Sequence, residues 1–228
     1  MVQRMQLFIL VLLPMAFLLP QGCQSGEIIG GQEAQPHSRP YMAYLDIQSG
    51  DKRFRYGGFL VSKNFVLTAT HCNGDRITVY LGAHNIQQRE QSQQIPVHCW
   101  IPHLQYNRET RNNDMMLLQL SHSAVLNNWV RLIPLPNANS RVRPGSMCSV
   151  AGWGRTGWNI RTDMLREVDL EVMRDNMCEL YSGYNPSMML CVGKPGMCTL
   201  PYRGDSGGPL ACDRVAQGIA SYVDGNFY

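Results

Sequence analysis

Short apolar segments joined by turns dominate the pattern of hydrophobic and polar positions along this chain. Phe65–Thr70 is an apolar, strand-like run that ends at His71, and a second strongly apolar run, Met115–Leu120, begins directly after Asp114. No long amphipathic helical period and no internal repeat stands out. The 228 residues include 21 glycines and 13 prolines, which suits many short strands joined by turns. The pattern is therefore consistent with a protein built of many short strands.

The beginning of the chain has a different pattern. Arg4 precedes an apolar run from Leu7 to Leu19, and small residues follow near Ser25. This arrangement is typical of a secretory signal peptide, so we expect residues 1–25 to be removed on export. A membrane anchor is the alternative, but Pro14 breaks the run and the run is too short for a bilayer. We expect a soluble, exported protein in an oxidising compartment, with no membrane partner.

Three residues have the chemistry of a nucleophile, a base and an orienting acid. Ser206 lies in the glycine-flanked hexapeptide Gly204–Pro209, where glycines favour a tight, open turn that lets a substrate carbonyl approach main-chain N–H groups. Taken singly, His71 and Asp114 each have an ordinary structural explanation. Their order, histidine then aspartate then serine, favours a triad in which the imidazole takes the serine proton and the carboxylate orients the imidazole.

Further motifs indicate a family. They are Ile28–Gly31, Pro36–Tyr44, Leu81–Ile86 and Val150–Gly154. With them, the chain from Ile28 onward resembles the chymotrypsin-like serine proteases, and within these the granule-stored branch of immune cells: cathepsin G, granzymes, mast-cell chymases and duodenase. The resemblance implies a peptidase domain over residues 28–228 made of two packed, antiparallel, six-stranded β-barrels. The barrels are expected at about 28–129 and 130–228, with the triad between them. The implied reaction is peptide-bond hydrolysis through an acyl-enzyme, without metal or cofactor.

The resemblance also implies activation by cleavage. Residues 26–27 match the dipeptide that granule proteases of this family lose, which frees the α-amino group of Ile28. This group is expected to pair with Asp205 and so complete an oxyanion hole formed by the N–H groups of Gly204 and Ser206. A buried ammonium and a buried carboxylate tolerate each other only as a pair. The alternative is that Ile28 merely begins an ordinary strand.

The cysteines depart from the family pattern. Of eight cysteines, Cys23 lies in the signal peptide, so an odd number remains in the exported domain. The resemblance implies two disulfides, Cys148–Cys212 and Cys178–Cys191. Tyr56 stands where the family has the partner of the cysteine after the catalytic histidine. The cysteines left without an expected partner are Cys72, Cys99 and Cys198. Zinc ligation by His98, Cys99 and His103, or by His71 and Cys72, is disfavoured because the spacings fit no common zinc site.

The specificity pocket is the second departure. Alignment on the serine puts Leu200 at the pocket floor, where no acid is available to anchor lysine or arginine. Val223 takes the place of a usual glycine and is expected to narrow the entrance. Ser221 matches the family serine that bonds the triad aspartate, and Ser221, Tyr222 and Val223 are expected to pair with substrate as an added strand. We expect cleavage after small or medium apolar residues, with a soft preference.

The end of the sequence is the third departure. Relatives continue past Tyr228 with a further strand and a terminal helix, so we expect this sequence to be a fragment or a truncated product. This departure leaves a competing hypothesis, a non-catalytic protease homologue that acts only by binding.

Composition restricts the partners. The formal net charge of +3 is too small to imply nucleic-acid binding. The family resemblance implies protein or peptide substrates, serpin-type inhibitors, storage on acidic proteoglycan, and secretion or storage in granules as a monomer.

Overall fold

The protein has two β-sheet units in the computed structural model, which describes residues 31–88, 92–138, 140–154, 162–179, 183–193 and 205–222. The first unit is a closed barrel in which six strands pair antiparallel in the order Met42–Ser49, Lys52–Ser62, Phe65–Thr68, Met116–Leu120, Gln93–Pro102 and Arg76–Leu81. Its strands are β2 (Met42–Ser49), β3 (Lys52–Ser62), β4 (Phe65–Thr68), β5 (Arg76–Leu81), β6 (Gln93–Pro102) and β7 (Met116–Leu120).

The barrel closes around alternate side chains of its strands. In β7, Met116, Leu118 and Leu120 are buried in the barrel core, as the period of two predicts. β2 differs, because its residues from Met42 to Ile47 are all buried. Leu45 and its same-face neighbours point into the barrel, whereas Tyr44 joins a second cluster with Trp153 of the other unit. A strand covered on both faces loses the alternation that marks a half-exposed strand.

The second unit is a six-stranded antiparallel sheet in the part of the chain described. Its strands pair in the order Gln32–Glu33, Arg166–Val172, Met147–Gly152, Pro209–Cys212 and Val215–Ile219, and Val192–Gly193 also pairs with Arg166–Val172. Its strands are β1 (Gln32–Glu33), β8 (Met147–Gly152), β9 (Arg166–Val172), β10 (Val192–Gly193), β11 (Pro209–Cys212) and β12 (Val215–Ile219). A short helix, α1 (Asp175–Cys178), precedes β10. β1, near the beginning of the described chain, pairs with β9 and so belongs to this sheet.

The two units pack through shared apolar clusters. Phe59 of the barrel packs with Ile133, Ala211 and Ala216, which joins β3 to β11 and β12. The prediction of an all-β fold made of two packed antiparallel units is confirmed, with the first unit a closed six-stranded barrel and the second described as a six-stranded sheet. No helix in the described ranges is long and apolar enough to cross a membrane.

Candidate active site

Strand register brings His71 and Asp114 together. β4 and β7 are antiparallel, with Thr68 opposite Met116. The residues that follow β4 therefore lie beside the residues that precede β7. A 3₁₀ turn, Thr70–Cys72, carries His71 at that point. The Thr70 hydroxyl donates to Met115 O at 2.7 Å and ties the two runs. The His71 main-chain N–H donates to Asp114 Oδ1 at 3.0 Å, and His71 Nδ1 lies 2.7 Å from Asp114 Oδ2.

Asp114 is held as a buried carboxylate. Its side chain is 2% exposed, and it also accepts a hydrogen bond from the Ser221 hydroxyl. Burial on its own raises the pKa of Asp114, but the hydrogen bonds from His71 and Ser221 outweigh burial, so the pKa lies below its ordinary value. An ionised carboxylate only accepts, so the 2.7 Å contact places a proton on His71 Nδ1, and in that tautomer of the neutral imidazole Nε2 is the acceptor. In this arrangement His71 Nε2 can accept a proton.

Ser206 lies in a glycine-rich turn directly before β11. Gly207 in this turn has φ +84, and a Cβ there would lie 2.2 Å from the Thr68 hydroxyl and 2.3 Å from Gly57 O. Only glycine fits this close approach. The Gly57 N–H donates to Ser206 O at 2.9 Å, which fixes the serine backbone against β3. The turn is therefore wedged between the two sheet units.

Ser221 links the Ser206 turn to Asp114. The Gly207 N–H donates to Ala220 O at 2.7 Å, and the Ala220 N–H donates to Gly208 O at 2.8 Å. The next residue, Ser221, donates to Asp114. One continuous hydrogen-bonded path thus joins the turn of Ser206 to the His71–Asp114 pair. Tyr222 follows on the surface at 39% exposure, and its hydroxyl lies 3.5 Å from Met189 Sδ.

Asp205 is buried next to Ser206. Only 1% of the residue is exposed, and Gly154 N–H donates to its Oδ1 at 2.9 Å. A Cβ on Gly152 would approach Asp205 Oδ1 to 2.2 Å, so the carboxylate occupies a site that glycines keep open. The other predicted residues of the activation step and pocket, Ile28, Gly204, Leu200 and Val223, lie outside the described residues.

The cysteines divide into bridged and free. The structure contains both disulfides that the resemblance implies, Cys148–Cys212 and Cys178–Cys191. Cys72 and Cys99 are free, the first buried and the second exposed, while Cys198 lies outside the described residues. Burial raises the pKa of the Cys72 thiol, which is therefore a neutral group beside His71. Among the residues described, no cluster of three His, Cys, Asp or Glu side chains has the geometry to hold a metal ion.

Sequence reasoning missed the residues of β3 that contact the site. Gly57 supports the backbone of Ser206, the Thr68 hydroxyl donates to Gly57 O at 2.8 Å, and the ring of Tyr56 meets the ring of His71. The only signal in the sequence was the replacement of an expected cysteine by Tyr56. That signal indicated a lost disulfide but not a new contact.

Comparison with known proteins agrees with the geometry. The sequence profile of the trypsin family matches residues 28–226. The chain is 54% identical to human cathepsin G over 214 residues, which covers 93% of this chain and 84% of that protein. It is 52% identical to bovine duodenase-1 (94% and 86% covered) and 50% identical to human granzyme B (95% and 89% covered). A solved structure titled "Structure of GrC" superposes with a TM-score of 0.82 at 47% identity, covering 86% of this chain and 88% of that one.

Proposed function

The chain belongs to the trypsin family of serine proteases, and on that premise we propose that it is an active serine endopeptidase whose catalytic residues are His71, Asp114 and Ser206. The observation that carries the proposal is the pairing of His71 with a buried Asp114, at 2.7 Å between Nδ1 and Oδ2, on a path that leads through Ser221 to the turn of Ser206. A buried carboxylate bonded to histidine Nδ1 orients the imidazole so that it can act as a base, whereas a histidine or an acid with a purely structural role does not require this pairing.

In the proposed reaction, Ser206 Oγ attacks the carbonyl carbon of the scissile peptide bond. His71 Nε2 takes the serine proton, and Asp114 stabilises the imidazolium that forms. The N–H groups of Ser206 and Gly204 hold the oxyanion. The imidazolium then gives its proton to the leaving amine, which releases the first product and leaves an acyl-enzyme. Water, deprotonated by His71, attacks the acyl carbon and releases the second product with Ser206 restored.

We propose that the free amino group of Ile28 activates the enzyme by pairing with Asp205. The support is the burial of Asp205, since a carboxylate at 1% exposure is stable next to a cation or to several donors. Removal of residues 1–27 creates that cation at the new terminus. Gly152 and Gly154 leave room for the carboxylate, and Asp205 is adjacent to Ser206, so the pairing acts directly on the catalytic turn.

For substrate choice, we propose cleavage after small or medium apolar residues in proteins and peptides. We expect Leu200 at the pocket floor to offer no charge to a basic side chain and to take volume that an aromatic ring needs, and we expect Val223 to narrow the pocket entrance. Apolar contacts discriminate by about 1–3 kcal/mol per methylene, so the preference is graded. We further propose that the protein is secreted or stored in granules on acidic proteoglycan and is controlled by serpin-type inhibitors, as the resemblance implies.

Hydrolysis of a peptide library tests this proposal. The protein is prepared with Ile28 as its first residue, and peptides vary only at the residue before the scissile bond. We expect cleavage after alanine, valine, leucine or methionine, and slower cleavage after lysine, glutamate or phenylalanine. Ser206→Ala is the control and should cleave none of them. An inactive wild-type protein would favour a binding role, whereas fast cleavage after lysine would overturn only the specificity.

A further inference from the structure

Tyr56 of β3 contacts the candidate base. The centroids of the Tyr56 and His71 rings are 5.9 Å apart and the ring planes meet at 87°, an edge-to-face arrangement. Aromatic pairs favour this geometry because the positive edge of one ring meets the negative face of the other. Phe54 stacks on the same tyrosine, with centroids 6.3 Å apart and planes at 13°, so the tyrosine ring is itself supported.

The segment that carries His71 has no covalent support of its own. Cys72 is buried and free, with its Sγ 3.7 Å from His71 Nε2. The hydrogen bond from His71 N–H to Asp114 fixes the backbone, but the imidazole can still turn about its side-chain bonds. Turning the ring breaks the 2.7 Å contact between His71 Nδ1 and Asp114 Oδ2. A ring packed against the imidazole adds a second restraint on that rotation.

β3 is well placed for this task because it contacts both halves of the site. Next to Tyr56, Gly57 N–H donates to Ser206 O, and Gly57 O accepts from the Thr68 hydroxyl. Two adjacent residues of one strand thus contact the histidine and the serine backbone. A shift of this strand changes the distance between base and nucleophile, on which proton transfer depends steeply.

We propose that Tyr56 is a positioning residue, whose ring confines the His71 imidazole to the rotamer in which Nδ1 bonds Asp114 and Nε2 is available to Ser206. The inference rests on the proposed catalytic role of His71. The ring does the positioning and the hydroxyl does not, so phenylalanine should substitute for Tyr56 whereas an aliphatic residue should not. In this chain, packing by an aromatic ring takes over where the resemblance implies a disulfide to Cys72.

The kinetic test compares Tyr56→Leu, Tyr56→Phe and Phe54→Leu. Edge-to-face pairs contribute enough to change the population of one rotamer by about three- to tenfold. We therefore expect Tyr56→Leu to lower kcat about three- to tenfold with KM changed less than twofold, and Tyr56→Phe to remain within twofold of wild type. Phe54→Leu removes only the ring that stacks on Tyr56 and leaves the Tyr56–His71 contact in place, so its loss in kcat should be smaller than that of Tyr56→Leu. Equal losses in Tyr56→Leu and Phe54→Leu, or no loss in Tyr56→Leu, overturn the proposal.

A spectroscopic measurement keeps the test independent of activity and of variant folding. In wild-type protein with labelled histidine, we expect nuclear Overhauser contacts between the Tyr56 and His71 rings, with the His71 signals assigned from their loss in His71→Ala. Absence of these contacts contradicts the proposal even if the enzyme is active. If the contacts are present but wild-type protein hydrolyses nothing, the proposed function fails while the structural contact stands.

Discussion

Ser221→Ala tests the hydrogen-bonded path from the Ser206 turn to Asp114. The substitution removes one hydroxyl and adds no bulk, so the backbone contacts of Ala220 with the turn remain. Asp114 keeps its hydrogen bonds from His71 but loses the donor on the other side of Oδ2. Since the Asp114 side chain is only 2% exposed, water has little access to replace that donor.

The expected magnitude follows from the charge and burial of Asp114. A hydrogen bond to a charged group contributes about 1.5–3 kcal/mol to stability. For a domain of this size, 1 kcal/mol changes the melting temperature by about 2–4 °C. We therefore expect the melting temperature of Ser221→Ala to be lower by about 3–12 °C at neutral pH. The comparison is made in Ser206→Ala protein so that self-cleavage does not interfere.

The difference in stability between Ser221→Ala and its parent should depend on pH through the ionisation of Asp114. The pKa of Asp114 is lower in the folded protein than its ordinary value near 3.9, so its ionised form adds stability above about pH 4. That contribution is lost as the pH falls through the folded pKa. Without the Ser221 hydroxyl the pKa of Asp114 in the folded protein is higher. Ionisation of Asp114 therefore stabilises the variant less than it stabilises the parent. The melting temperatures of Ser221→Ala and its parent should converge as the pH falls through the pKa that Asp114 has in the folded parent.

The control is Ser123→Ala, which removes an equally direct hydrogen bond, 2.7 Å from Ser123 Oγ to Asn64 Oδ1, on the exposed surface. Exposed polar groups recover their bonds from water, so this change should be within about 0.5 kcal/mol. The reasoning is refuted if the two alanine variants melt together at pH 7, or if the deficit of Ser221→Ala is unchanged in acid.

Three further predictions concern the turn that contains Ser206, the Cys148–Cys212 disulfide and the thiols of Cys72 and Cys99. Gly207→Ala should abolish hydrolysis and lower the melting temperature strongly, because its Cβ would meet main-chain and hydroxyl oxygens. Gly50→Ala, also at positive φ but with open space around it, should cost only the backbone strain of about 1–2 kcal/mol in a thermal melt. Loss of the Cys148–Cys212 bridge by paired alanine substitution should destabilise by about 4 kcal/mol, since it closes a separation of 64 residues; a calorimetric change under 1 kcal/mol contradicts this. N-ethylmaleimide should modify exposed Cys99 in native protein and buried Cys72 only after unfolding, as peptide mass mapping will reveal.

The sequence predicted the parts of the fold whose pattern is local. The apolar runs that end at His71 and begin after Asp114 became β4 and β7, and their antiparallel register accounts for the meeting of the two residues. β2 shows where pattern reasoning ends, because burial on both faces hides its period of two. Such burial depends on how two sheets pack, which no single segment of sequence encodes.

The sequence predicted the residues of the candidate site better than it predicted the neighbouring side chains that contact them. The resemblance pointed to Ser221 as a partner of Asp114, and the structure has that contact. The support from Tyr56 was not predictable, because a ring contact between β3 and the turn after β4 depends on side-chain geometry. The roles of Ile28, Gly204, Leu200 and Val223 stay predictions, since those residues lie outside the described ranges.

The central claim is that Ser206 is a nucleophile activated by His71 and Asp114. Its most direct test is the reaction of the processed protein with a fluorophosphonate, followed by mass mapping of the modified peptide. We expect one equivalent of label on Ser206 in wild-type protein, none in Ser206→Ala, and a rate lower by at least about 100-fold in His71→Ala, as expected for loss of general-base catalysis. Failure of folded wild-type protein to react, or labelling at the same rate in His71→Ala, would contradict the claim.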